Sequence, residues 1–95
     1  MVTHVVLFKL REPTPDNLLT VANALRSMEG KIASLQSIDV GIDELRTERS
    51  FDVALRTTHA TYAELEAYQV DPLHQSVVAL IKSLAEKSVA CDWSS

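Results

Sequence analysis

Asp71-Pro72 is the dipeptide that most constrains how this chain folds. Proline fixes φ at about −65° and has no amide proton, so a helix can begin at residue 72 but cannot run through it. The residue before a proline is pushed toward extended backbone, and Asp is among the strongest N-caps. The segment Tyr68-Gln-Val-Asp-Pro-Leu-His74 is therefore a tight turn between two helices. Tyr68 falls at the tail of the first, and His74 in the first turn of the second, near the positive end of its dipole. A phenol and an imidazole held on either side of one turn can do acid/base chemistry without metal or cofactor. The plainer alternative is two polar residues bordering a core.

The rest of the chain supplies a small α+β set around that turn. Val2 to Leu10 is rich in β-branched and aromatic residues and reads as a strand. Thr14-Pro15-Asp16 is a cap, a first-position proline and an acid in the first turn. Leu18, Val21, Ala22, Leu25 and Met28 recur at helical spacing, which predicts a helix to about Glu29 with Gly30 at its C′ position. Strands are predicted over Leu35 to Asp43 and over Phe51 to Thr58. Thr61 with Glu64 forms a capping box that opens a short helix to about Tyr68. After Pro72, Leu73, Val77, Leu80, Ile81 and Leu84 form an apolar stripe. Ser88 to Trp93 is a short final strand.

The order β-α-β-β-α-α-β is that of a ferredoxin-like α+β domain, with four antiparallel strands and helices on one side. It makes residues 1–95 one domain, with the first and last strands expected side by side at the sheet centre. At 95 residues a chain buries roughly 60–65% of its unfolded surface, enough for one core.

Strand phasing assigns two faces. Val6, Phe8, Ile38, Val40, Ile42, Phe51, Val53 and Leu55 are expected under the helices. The opposite face would carry Val5, Leu7, Ala54, Val89, Cys91 and Trp93, with Asp39, Asp52 and Arg56. A half-exposed antiparallel sheet should show one clearly polar face, and this one does not. Such a patch marks an interface, so homodimerisation sheet to sheet is expected. Cys91 is then a small buried hydrophobe rather than a reactive thiol.

The same phasing aligns His4 with Val6 and Phe8, and Asp92 with Ala90 on the last strand. If those strands adjoin antiparallel, His4 and Asp92 meet, and the carboxylate orients the ring. His4, Asp92, Tyr68 and His74 are thus the polar groups aimed between sheet and helices, with Val6, Phe8 and Leu55 as apolar walls. His59, in Thr57-Thr-His-Ala, reads as a solvated loop residue, and Asp39, Asp43 and Glu44 as a solvated strand end.

Composition excludes several classes. The net charge is −4 with no Lys/Arg cluster, which argues against nucleic acid and anionic membrane as partners. A single cysteine excludes an internal disulfide and leaves no zinc spacing. Gly30 and Gly41 are isolated and make no phosphate-cradling loop. No metal and no cofactor is expected. Met-Val-Thr-His enters a strand pattern at once, without a leader, and no apolar run approaches the roughly 20 residues that span a bilayer, so the expected location is cytoplasmic.

His4 in Val-Thr-His-Val-Val-Leu-Phe, the Phe51 to Leu55 strand, and Tyr68-x-x-Asp-Pro-x-His74 before a long helix resemble the stress-responsive dimeric A/B barrel (Dabb) family. The likeness runs over essentially the whole chain, including the Asp92-aromatic ending. It implies a dimer whose two sheets face each other as a barrel, with helices outside and a small apolar pocket between each sheet and its helices. One plant relative, olivetolic acid cyclase, is a cofactor-free polyketide cyclase whose Tyr and His match Tyr68 and His74, and whose first-strand histidine matches His4. The pattern departs at Asp71, where many relatives carry His before the proline.

Two functions are then in play. One is a site for a small apolar or aromatic molecule in which Tyr68 and His74 promote proton transfer next to a carbonyl. It calls for a sealed pocket faced by both side chains. The other is a non-catalytic stress-response or scaffold protein acting as a dimer or larger assembly, its helix layer filled by Leu25, Met28, Leu65, Leu80 and Leu84.

Overall fold

The computed structural model describes residues 1–95. The elements are β1 (Val2–Leu10), α1 (Pro15–Arg26), β2 (Ser37–Ile42), β3 (Val53–His59), α2 (Tyr62–Val70), α3 (Pro72–Leu84) and β4 (Ala85–Ser94). All strand pairs are antiparallel, in the order β2-β3-β1-β4. This is the ferredoxin-like α+β fold. β1 and β4 are neighbours, but β4 is the sheet edge and not its centre, because β1 pairs with β3 on its other side. No helix is long and apolar enough to cross a membrane.

Local chemistry sets the boundaries. Thr14 caps α1 through Asn17 N–H, with Pro15 at the first position. α1 stops at Arg26, one turn before the periodicity predicts. There Ser27 Oγ donates to the Ala24 carbonyl at 2.6 Å, and the following amides make i→i−3 bonds instead. Gly30, at φ 74°, closes that run in the left-handed region where glycine carries no penalty. β4 starts three residues early, directly at the end of α3, and it takes in a bulge. Leu10 pairs with Ala85 and Lys9 with Lys87, so Glu86 is left over.

The core lies between the helices and one sheet face. Phe8, Leu10, Val53 and Leu55 meet Val21, Leu25 and Met28 of the α1 region, Leu65 and Tyr68 of α2, and Val77 and Ile81 of α3. Leu84 is half-buried, while Leu80 is 43% exposed on the outside of α3 and fills nothing. The other sheet face is open in the single chain, with Leu7, Val89 and Trp93 each about two-fifths exposed and Cys91 exposed beside them.

Two polar residues lie deeper than their sequence context indicates. Asp52 precedes β3 and is 2% exposed, not on the open face. Its carboxylate accepts the Leu10 amide at 2.7 Å and an Arg46 nitrogen at 2.8 Å. His59 is the last residue of β3 rather than a loop residue, and it is fully buried.

Candidate functional site

Asp71 builds the turn from both sides. Its N–H bonds to the Tyr68 carbonyl and ends α2, while its Oδ1 accepts the Leu73 amide at 2.8 Å and starts α3. Tyr68 is thereby placed on the sheet side of α2, and His74 sits above it across the turn. The two rings are 4.4 Å apart, centroid to centroid, at an interplanar angle of 56°.

All three histidines of the chain surround Tyr68. His59 lies 4.8 Å from its ring and His4 6.5 Å, the latter edge-on. The register pairs His4 with Asp92, and His4 Nδ1 hydrogen-bonds Asp92 Oδ1. Val6 pairs with Leu55 and Ala90, and Phe8 with Val53 and Ser88, so these apolar residues continue the same face. His59 gave no signal as a site residue. Its period-2 alignment with Val53, Leu55 and Thr57 was the available clue.

Hydrogen bonding fixes the tautomers. A carbonyl can only accept, so His74 Nδ1 donates to the Gln69 carbonyl at 3.1 Å and its Nε2 keeps the lone pair. His59 Nδ1 likewise donates to the Ser34 carbonyl at 2.7 Å, leaving Nε2 to accept from the Thr57 hydroxyl at 2.9 Å. Both nitrogens of His59 are therefore committed. In His4 and His74, one is committed and Nε2 is left.

Burial tunes the cluster. Desolvation holds the His74 and His59 pKa values below the usual imidazole range, against the raising effect of their bonds to Gln69 and Ser34 carbonyls. Burial drives the Tyr68 phenol well above the usual phenol range, so it stays protonated. Tyr68 is fully buried, and its hydroxyl has no hydrogen-bond partner among the protein's own atoms. The cluster thus holds a neutral proton acceptor against an un-ionised phenol. No three His, Cys, Asp or Glu side chains converge as a metal ion requires.

The cavities lie around this cluster rather than at its centre. One of about 280 Å³ is bounded by His74, Gln69, Val78 and Lys82, and Tyr68 does not line it. The next, about 400 Å³, lies between α3 and β4 over Phe8, Val78, Ile81 and Ala85. The largest, about 620 Å³, is at the β2–β3 loop, walled by Leu7, Leu45, Phe51 and Ala54, and contains none of the histidines.

The four-stranded antiparallel sheet with its three helices is the ferredoxin-like α+β fold, and the aromatic and histidine cluster lies between its layers. The chain belongs to the stress-responsive A/B barrel domain family, whose model matches residues 2–95. Among solved structures it is similar to a dimeric ferredoxin-like protein of unknown function from Thermobifida fusca. That match has 25% identity and a TM-score of 0.88, covering 99% of this chain and 90% of that one. A dimeric protein of unknown function from Bacteroides fragilis is also 25% identical, with a TM-score of 0.83 and coverage of 99% and 95%. Hydroxynitrile lyase from Passiflora edulis shares the fold at 13% identity and a TM-score of 0.81, covering 97% of this chain and 90% of that one. No curated protein matches the chain.

Proposed function

We propose that the protein binds a small apolar or aromatic molecule between its sheet and helices and carries out cofactor-independent proton transfer on it. In this reading His74 Nε2 is the general base and the Tyr68 hydroxyl donates to a substrate carbonyl or the enolate formed from it. His4, oriented by Asp92, and the apolar residues Val6, Phe8 and Leu55 bind and position the molecule. Removal of a proton next to a carbonyl followed by aldol-type ring closure, as in a polyketide cyclase, is the form of this chemistry that needs only those groups.

The observation that carries the reading is the Tyr68 hydroxyl. A buried hydroxyl without a partner costs on the order of 1–3 kcal/mol. Such an unpaired donor calls for an acceptor from outside the chain, and a ligand carbonyl or enolate can supply it. The neutral imidazole in contact with that ring supplies the matching base.

The protein is further proposed to work as a homodimer joined through the open sheet face, where Leu7, Val89 and Trp93 are exposed. The Thermobifida fusca and Bacteroides fragilis proteins are dimeric, which supports this assembly. One feature favours the second reading, a non-catalytic dimeric stress-response or scaffold protein. Tyr68 is fully buried in the same core cluster as Leu25, Met28 and Leu65, and it does not line the cavity beside His74.

His74→Ala separates the two. If the site binds ligand, the variant stays folded and loses binding of a small aromatic ketone measured by calorimetry. If it unfolds, His74 is a structural residue of the turn and the scaffold reading stands; if it stays folded and binds as the parent does, His74 does not face the bound molecule.

A further inference from the structure

The cleft between α3 and β4 exists because the helix-facing residues of β4 are small. Ser88 sits opposite Phe8 and Ala90 opposite Val6, where larger side chains would close the space under α3. What remains is about 400 Å³, within the range of small-molecule sites. Its floor is apolar, with Phe8 and Ile81 buried and Val78 and Ala85 half-buried. Its rim carries Arg11 and Lys82, in a chain whose net charge is −4. Neither cation forms an ion pair with any carboxylate of the chain. Arg11 is docked on the end of α3, its Nη1 donating to the Ser83 carbonyl at 3.0 Å, so its guanidinium is fixed at the mouth. Lys87 also borders the cleft, with its ammonium 6.0 Å from the Phe51 ring centroid. The one acid on the rim is Glu86, the bulged residue of β4.

The cleft adjoins the candidate site across one turn of α3. The smaller cavity bounded by His74 shares Val78 and Lys82 with it. From His74 to Lys82 along α3 is eight residues, about 12 Å.

We propose that the ligand is an amphipathic anion, with a carboxylate held by Arg11 and Lys82 and an apolar body on Phe8, Val78, Ile81 and Ala85, pointing toward His74. This rests on the small-molecule reading above and adds the charge and the length of the molecule. A carboxylate without a chain cannot span the cleft, and a chain without a carboxylate forgoes both cations.

Octanoate, 1-octanol and acetate are the probes, titrated into the full chain by calorimetry and by amide NMR shifts. Octanoate is expected to bind at least fivefold more tightly than 1-octanol, shifting Phe8, Val78 and Ile81, while acetate shifts none of them. Lys82→Gln, whose side chain anchors nothing in the fold, should weaken octanoate severalfold and leave 1-octanol unchanged. Glu86→Gln should tighten octanoate. Equal binding of octanoate and 1-octanol, or no effect of Lys82→Gln, overturns the anion assignment while the apolar pocket stands. Failure of both octanoate and 1-octanol to shift the cleft residues overturns the pocket reading as well.

Discussion

The Tyr68 and His74 rings stand 4.4 Å apart across a turn whose two helix ends are both capped by Asp71. That one residue therefore sets the relative position of phenol and imidazole. Replacing Tyr68 by Phe keeps the ring contacts and deletes a buried hydroxyl that no protein atom satisfies. The Tyr68→Phe variant is expected to be more stable than the parent by about 1 kcal/mol, because the desolvation cost of the hydroxyl disappears. Urea denaturation measures this directly. A loss of stability would mean that the hydroxyl is a structural hydrogen-bonding group and not a donor held for a ligand.

The two depressed imidazoles give stability a pH dependence of definite sign. His59 and His74 have folded pKa values below the 6.5 of the unfolded chain, chiefly through burial. Below pH 6.5 the unfolded state binds protons that the folded state refuses, so it is the unfolded state that gains. Their contribution is fully present above that value and declines as pH falls toward the depressed folded pKa values. The urea midpoint should hold steady from about pH 8 to about pH 7 and drop toward about pH 5, with His59→Gln showing a shallower drop. A midpoint independent of pH in that lower window would show that neither ring is held neutral by the fold.

Much of this arrangement was legible in the residues because it is local. Asp71-Pro72 fixes the α2–α3 turn, and period-2 phasing with antiparallel pairing brings His4 to Asp92. His59 was not legible. Thr57, Thr58 and Ala60 around it give a polar window; strand phasing with Val53 and Leu55 points it inward, but the Ser34 carbonyl that helps satisfy its ring lies 25 positions away. Asp52 failed for the same reason: its partners, Leu10 and Arg46, belong to a strand end and a loop that sequence spacing does not connect. The early end of α1 turned on the Ser27 hydroxyl competing for the Ala24 carbonyl, a choice that apolar periodicity does not register.

The open sheet face makes its own prediction. Val89 is opposite Leu7 in the register and 41% exposed, in the row that also holds Ala54. A Val89→Glu substitution would bury a carboxylate at the proposed interface and leave the single chain nearly untouched, since the side chain is half in solvent there. Light scattering at micromolar concentration should give a dimer for the parent and a folded monomer for the variant. A parent that is monomeric, or a Val89→Glu variant still dimeric, would remove the sheet-face assembly.

The β2–β3 loop is held by an ion pair that is deep on one side and wet on the other. Asp52 is 2% exposed, whereas the Arg46 side chain is 42% exposed. Deleting the carboxylate by Asp52→Ala strands the buried Leu10 amide and should cost about 2 kcal/mol. Asp52→Asn keeps an acceptor for that amide and should cost less. Arg46 also sits at φ 55°, where a residue with a Cβ is strained by about 1 kcal/mol. Arg46→Ala and Arg46→Gly both remove the guanidinium, but only glycine relieves the backbone, so Arg46→Gly should be the more stable by about that amount. Chemical denaturation of the two variants side by side isolates the strain from the lost ion pair. Equal stabilities would show that the loop relaxes out of the left-handed region once the guanidinium is gone, and that the contacts of that guanidinium with Asp52 and Asp43 are what impose it.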